Sequence, residues 1–443
     1  MEKKKYRSFA AHNFRKIPQL SRLSEEELKE IEVVAAVLPF KTNNYVVDEL
    51  IDWDNWKTDP MFLLTFPQRR MLQKTHYDEM AATLARTSDK AAIRRTADSI
   101  RMKLNPHPAG QMEYNVPYFE GERLSGIQHK YRETVLFFPT QGQTCHAYCT
   151  FCFRWPQFVG MEDMKFAMNE TEKLVEYVRT HDTVTDVLFT GGDPMIMKTR
   201  LLAGYIDALL DAKLPNLHTI RIGTKALAYW PERFTHDDDA DELMALFERA
   251  KAAGVNVSIM AHFSHPVELE TPAVREAVAR LLKAGVQIRT QSPLLRNIND
   301  KAEIWAKMWR LQVDLGCIPY YMFIPRDTGA KHYFEVPLEE AWEIFRNAYQ
   351  QVSGVCRTVR GPSMSCTPGK VQVLGVNELN GEKVFVLRML QGRNPDWAGR
   401  PFFAKYDPEA TWMDELQPLP GQENFFFEEE ELLEKAAAGK EVF

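Results

Sequence analysis

One rhythm recurs six times between Val135 and Phe323: a short apolar run followed by a stretch whose apolar residues have helical spacing. The runs Val135–Phe138, Asp186–Phe189, Thr219–Ile222, Val255–Ala261, Val286–Thr290 and Ile318–Phe323 predict strands. Leu174–Val178, Leu243–Ala252, Val274–Leu282 and Ile304–Leu311 predict helices among them. Such alternation forces a parallel sheet, because joining two parallel strands takes a crossover, usually a helix. The expected fold class is therefore α/β. Six units are too few to close an eight-stranded barrel, so the expected architecture is an open, partial (β/α)6 TIM-like barrel with room inside for a large cofactor.

The flanks differ. Residues 1–128 read as an N-terminal helical region, with the capping box Ser24-Glu25-Glu26-Glu27 ahead of an apolar-periodic stretch. Residues 129–362 carry the barrel, and 363–443 form a C-terminal segment and extension. The extension contains a strand pair, Val371–Leu374 and Val384–Leu387, turned at Asn380-Gly381. The acidic run Glu428–Glu431 reads as a solvated helix end. A net charge of -6 argues against a nucleic-acid partner. Met1–Lys5 is not followed by an apolar stretch, and no run is long enough to span a bilayer, so no membrane association is expected and a cytoplasmic protein is.

Six cysteines in 443 residues, three of them within eight positions, suit a reducing compartment and a metal site. Cys145-His146-Ala147-Tyr148-Cys149-Thr150-Phe151-Cys152 follows a predicted strand. Three thiolates at this spacing can hold three irons of a cubane and leave the fourth iron free for a small ligand. A zinc site completed by His146, or three buried structural thiols, are the competing readings. Other polar residues fall just after predicted strands, the catalytic face of such folds: Gly191-Gly192-Asp193, Gly223-Thr224, His262, Gln291 and Arg326-Asp327.

With Phe151 before the third cysteine and Gly191-Gly192-Asp193-Pro194 after the second strand, the cysteine loop resembles that of radical S-adenosylmethionine (SAM) enzymes. Further stretches resemble the lysine 2,3-aminomutase family within that superfamily: His129-Lys130-Tyr131, Arg154, Arg221–Thr224, His262–Pro266, Gln291–Arg296, Asn299-Asp300 and Pro319–Tyr321. The resemblance implies a radical SAM type of barrel and three cofactors: a 4Fe-4S cluster on Cys145, Cys149 and Cys152, SAM, and pyridoxal 5'-phosphate (PLP). It implies SAM contacts from Phe151, Gly191, Gly192, Asp193, Thr224, His262 and Gln291, and a substrate carboxylate held by Arg154. Lys370 matches the lysine that joins PLP, and Lys130, Tyr131 and Arg132 would attend its phosphate. The implied activity moves an amino acid's α-amino group to its β-carbon. Implied partners are a small-molecule amino-acid substrate, an external one-electron reductant such as flavodoxin or ferredoxin, and further copies of the chain in a homo-oligomer.

The chain departs from the family's pattern in several places. Lys130 stands where the family has arginine, and Ser363–Thr367 replaces most of a glycine run before Lys370. The first of two aspartates that grip lysine's far ammonium aligns with Arg326 or Asp327, and the second with Arg360 or Ser363. Arg326 would suit an acidic substrate such as glutamate or aspartate, Asp327 a basic one. The C-terminal zinc cysteines of the lysine enzymes have no counterpart. The alternatives are a radical SAM enzyme with altered or no PLP chemistry, and a non-catalytic iron-sulfur protein.

Overall fold

A computed structural model describes residues 5–161 and 166–428. Most of the acidic run Glu428–Glu431 therefore lies outside the described residues. The N-terminal region is helical as expected, with α1 (Glu25–Val37), α2 (Lys74–Arg86) and α3 (Lys90–Met102). The capping box forms: Ser24 Oγ accepts from the Glu27 N–H at 3.3 Å, and the Glu27 carboxylate accepts from the Ser24 N–H at 2.8 Å. What periodicity did not reveal is a small antiparallel pair, Ser8–Ala10 with Lys41–Asn43. Three-residue strands carrying Lys, Thr and Asn have too little apolar alternation to be seen.

Eleven strands lie side by side in sequence order in one sheet. They are β1 (Ile127–Tyr131), β2 (Thr134–Phe137), β3 (Asp186–Phe189), β4 (Thr219–Thr224), β5 (Asn256–His262), β6 (Gln287–Pro293), β7 (Ile318–Phe323), β8 (Arg360–Ser365), β9 (Gly369–Leu379), β10 (Glu382–Gly392) and β11 (Pro401–Lys405). Strands β2 to β8 are parallel, while β1 and β9 to β11 pair antiparallel. Between the parallel strands run α4 (Thr171–Thr180), α5 (Thr199–Asp211), α6 (Ala240–Ala252), α7 (Pro272–Lys283), α8 (Ala302–Asp314) and α9 (Leu338–Gln350). All six expected strands are present. The turn at Asn380-Gly381 takes positive φ at both residues, 55° and 87°, as a two-residue hairpin demands.

Part of the stretch before Lys370 is a strand that the sequence did not announce. Arg360–Ser365 adds a seventh parallel strand, β8, and Lys370 pairs with Ser365 at the start of β9. Arg-Gly-Pro-Ser-Met-Ser lacks the apolar alternation that marks a strand, and its extended form comes from hydrogen bonding to β7 and β9. The sheet is strongly curved. Lys370 on β9 lies 5.1 Å from the ring of Tyr131 on β1, eight strands away. On a flat sheet, spacing of about 4.8 Å per strand would put them roughly 38 Å apart. Ile220 and Ile222 on β4 are fully buried under the helices, and Arg221 between them faces the sheet interior, near Lys370.

One continuous hydrophobic core runs from Phe9 to Phe427 through all three segments of the chain. Among the described residues, no helix is long and apolar enough to cross a membrane. Asn43 joins the N-terminal region to the sheet: fully buried, it donates to the Tyr229 carbonyl at 2.9 Å and accepts from the Val46 N–H at 3.0 Å. Asn43→Ala would strand both groups, at about 1–3 kcal/mol each. The expected outcome is a clear fall in the denaturant midpoint; an unchanged midpoint would show that this anchor is dispensable.

Candidate active site

The cysteine loop leaves the end of β2 and is held on two sides by backbone. On the sheet side, the Gly192 N–H donates to the Gly142 carbonyl at 3.0 Å and the Asp193 N–H to the Thr144 carbonyl at 2.8 Å. On the other side, Tyr148 N–H donates to Lys41 O at 2.8 Å and Thr150 N–H to Leu64 O at 2.9 Å. A Cβ on Gly192 would stand 2.3 Å from the Thr144 oxygen, a distance no side chain tolerates. Gly192 thus lets two backbones touch, and the backbone that it approaches leads into the cysteine loop.

Cys145, Cys149 and Cys152 are half-buried free thiols. Burial, then the nearby Asp193 and the other two cysteines, push the Cys145 thiol well up. Burial pushes Cys149 to about 12 and Cys152 to about 11. Thiols held so high lose their protons only to a metal. Among the described residues, no three His, Cys, Asp or Glu side chains gather as the ligands of one metal ion would. A cubane asks for something different: each thiolate takes its own iron, so the sulfurs stand apart. Three thiols from one loop, near enough for Cys149 and Cys152 to act on Cys145, suit such a cluster.

Asp193, expected at SAM, is also a structural hub. Its buried carboxylate accepts from Thr224 Oγ1 at 2.7 Å, the Lys225 N–H at 2.9 Å and the Met195 N–H at 3.0 Å, and lies 3.1 Å from His146 Nε2. Burial alone would raise this carboxyl, but the contacts with His146, Thr224 and Lys225 outweigh it and hold the group low. His146 is thus turned to Asp193, and Thr224 spends its hydroxyl on the same carboxylate. His262 and Gln291 sit side by side on β5 and β6, with 2.8 Å between the Gln291 amide nitrogen and His262 Nε2. Burial, with the Lys225 charge, takes His262 down to about 3, so its ring is neutral and accepts that bond. Phe151 is half-buried near Phe334, with 6.3 Å between ring centroids.

A second group gathers around Lys370. Its Nζ donates to Gln391 Oε1 at 2.9 Å and sits 5.1 Å and 4.8 Å from the rings of Tyr131 and Tyr321. Burial, then the Arg221 and Arg360 charges, lower this amine to about 7, in the range where a lysine is a nucleophile at neutral pH. Lys130 is buried and donates to the Cys366 carbonyl. Arg154 stacks on Phe138 and Phe153, at 4.5 Å and 5.0 Å, and Arg326 lies 4.7 Å from the same Phe153 ring. Burial and the facing Arg326 take Arg154 down to about 10. Among the described residues neither arginine has a carboxylate in ion-pair range.

Tyr131 Oη, Tyr321 Oη, Ser363 Oγ and one Arg326 nitrogen are buried without hydrogen-bond partners among the described residues. Each would cost about 1–3 kcal/mol if it stayed unmet. This set of unmet donors, a neutral lysine and several cations fits PLP with its phosphate.

Two expected members stand elsewhere. Arg132 is exposed, 2.8 Å from Glu133, because it lies in the turn beyond the Tyr131–Thr134 pair and outside the β1–β2 ladder. Asp327 is turned to Asn105, which donates to its carboxylate at 2.9 Å and its carbonyl at 2.7 Å. Sequence reasoning missed Lys41, the buried Lys225–Glu268 pair at 2.7 Å, Gln391 and Arg393. Lys225, directly after Gly223-Thr224, was the one within reach of motif reading.

No family model matches the chain. A curated protein of Aquifex aeolicus named "Putative L-lysine 2,3-aminomutase" is 31% identical over 400 residues, covering 90% of this chain and 93% of that protein. The L-lysine 2,3-aminomutase of Clostridium subterminale is 29% identical over 265 residues, covering 60% of each. Among solved structures, Streptococcus suis SuiB aligns over 64% of this chain and 58% of its own, at 12% identity and a TM-score of 0.36.

Two outcomes follow from the geometry. Gly192→Ala should displace the Cys145 loop, so the variant should take up far less iron and sulfide on anaerobic reconstitution; full uptake would contradict the clasp. Mixed with pyridoxal phosphate and trapped with borohydride, Lys370 should react at a rate that rises with pH and levels off above about 7. Continued acceleration toward about pH 10, the range of an ordinary lysine, would show that burial does not hold it neutral.

Proposed function

The chain belongs to the lysine 2,3-aminomutase family, and from that premise we propose that it is a radical SAM, PLP-dependent 2,3-aminomutase acting on an acidic amino acid such as glutamate or aspartate. The family works with a 4Fe-4S cluster, SAM and PLP. When bound, these cofactors would supply a carbon-centred radical by one-electron cleavage of SAM, and would make the migrating amino nitrogen unsaturated so that a radical on the neighbouring carbon can bond to it. The protein's part is to hold, orient and keep dry the reacting groups.

In this reading the curved sheet is a partial (β/α)6 barrel of the radical SAM type. Residues 129–362 form it, 1–128 close over the cysteine loop, and 363–443 bring Lys370 to the interior. Cys145, Cys149 and Cys152 anchor the cluster. Gly191, Gly192 and Asp193 shape the neighbouring wall, where Phe151, Thr224, His262 and Gln291 border SAM. Lys370 offers an unprotonated amine to the PLP aldehyde, and Lys130, Tyr131 and Arg326 lie close by as donors. An external one-electron reductant of the flavodoxin or ferredoxin kind, a cytoplasmic setting and a homo-oligomer belong to the same reading.

The substrate class rests on one observation: two half-buried guanidiniums, Arg154 and Arg326, both lie against the Phe153 ring, at 5.0 Å and 4.7 Å, and among the described residues neither has a carboxylate in ion-pair range. Like charges brought this close in a desolvated place call for an anion between them. Arg154 takes the α-carboxylate and Arg326 the side-chain carboxylate. Asp327, which would have favoured a basic substrate, is occupied with Asn105.

The test is an anaerobic assay with dithionite, SAM and PLP. Glutamate or aspartate should give a β-amino product and lysine should not. Arg326→Gln should lower kcat/KM for the acidic substrate about 10- to 100-fold, as expected for a lost hydrogen bond between charged groups worth about 1.5–3 kcal/mol. Turnover of lysine, unaffected by Arg326→Gln, would refute the acidic assignment.

A further inference from the structure

Each thiol of the cysteine loop faces a cation from a different part of the chain: Arg154 beside Cys152, Lys225 beside Cys149, and Lys41 beside Cys145. Two of the three have other work. Lys225 is ion-paired with the buried Glu268 at 2.7 Å, and Arg154 faces Arg326 across the proposed substrate position. Lys41 has no carboxylate in ion-pair range among the described residues. Its Nζ donates to the Cys145 carbonyl at 2.7 Å, lies 3.5 Å from Thr144 Oγ1, and stands 5.7 Å from the Tyr148 ring.

The placement is built from the backbone upward. Lys41 pairs with Ala10 in the short N-terminal strand pair, Asn43 two residues on is locked into the core, and the Lys41 carbonyl itself accepts the Tyr148 N–H. A lysine loses up to about 2 kcal/mol of side-chain entropy when fixed, and its ammonium is best solvated in water. Here the side chain is half-buried over the cysteine loop. Burial lowers its ammonium, and the neighbouring Cys145 offsets only part of that. A neutral donor would serve as well as a tether to a carbonyl. What only a cation adds is a positive field on the thiolates, and a cluster held by three thiolates is negatively charged before it receives an electron.

We propose that Lys41 is the counter-cation of the cluster, a positioning residue that offsets the charge of the thiolate loop and raises the potential at which the cluster accepts its electron. This rests on the cluster reading above. In the step concerned, one electron passes from an external reductant to the cluster; Lys41 keeps its proton and forms or breaks no bond. A nearby positive charge favours the reduced, more negative state, so losing it makes reduction harder.

The experiment uses full-length protein reconstituted anaerobically with iron and sulfide, as wild type, Lys41→Met and Lys41→Arg. Iron and sulfide content is measured first, followed by a dithionite potential titration monitored by electron paramagnetic resonance without SAM. The expected result is equal loading in all three, a midpoint potential shifted negative in Lys41→Met, and one near wild type in Lys41→Arg. Loading of Lys41→Arg but not Lys41→Met, with both folded by circular dichroism, also supports the proposal, since charge alone separates them. Equal potentials in all three loaded proteins would overturn it. So would failure of both variants to load, which would make Lys41 a tether whose exact shape matters. A wild type that binds no cluster would overturn the cluster reading itself, a result distinct from either.

Discussion

The reactive end of this protein depends on the carboxylate of Asp193. From the turn after β3 it ties together the starts of the segments that follow β2, β3 and β4, reaching His146, Met195, Thr224 and Lys225. A parallel sheet delivers its functional loops to one edge but does not fix their mutual positions, since adjacent loops share no ladder hydrogen bonds. A buried, fully engaged carboxylate does so, and it stays ionised because its partners outweigh the cost of desolvation. The backbone contacts of Gly192 and Asp193 with Gly142 and Thr144 complete the joint. The cysteine loop is thus held by the next strand's turn.

The interior behind that joint is rich in uncompensated positive charge. Lys130, Arg154, Arg326, Lys370 and Arg393 are all pushed toward lower basicity by burial, and each feels at least one other cation or a buried tyrosine. Such a collection is unfavourable in an apolar sheet interior unless anions join it. Burial, helped by the neighbouring arginine charges, keeps Lys370 neutral. In the proposed reading this charge density would attract carboxylates and phosphate while burial leaves one amine free to react.

The N-terminal region is more than an appendage. Its core is continuous with that of the sheet, and its short strand pair and the segment around Leu63–Thr65 supply the second wall of the cysteine loop. That arrangement joins residues about a hundred positions apart, so no local pattern announces it.

The sequence alone determined the alternation of strands and helices, the three thiols and their spacing, the hairpin at Asn380-Gly381 and the capping box at Ser24, because each is set by neighbours along the chain. Lys370, Arg154, His262 and Gln291 were legible only through resemblance; in the structure Lys370 stands near the start of β9, His262 ends β5, Gln291 lies within β6 and Arg154 follows the cysteine loop. Only the tertiary structure decided which of Arg326 and Asp327 faces the interior, that Arg132 turns to solvent, that Arg360–Ser365 is a strand, and that Lys41 reaches Cys145. The reason is physical: facing, burial and charge pairing depend on which strands meet when the sheet curls. That curvature comes from side-chain packing summed over the whole sheet, which no single stretch of residues encodes.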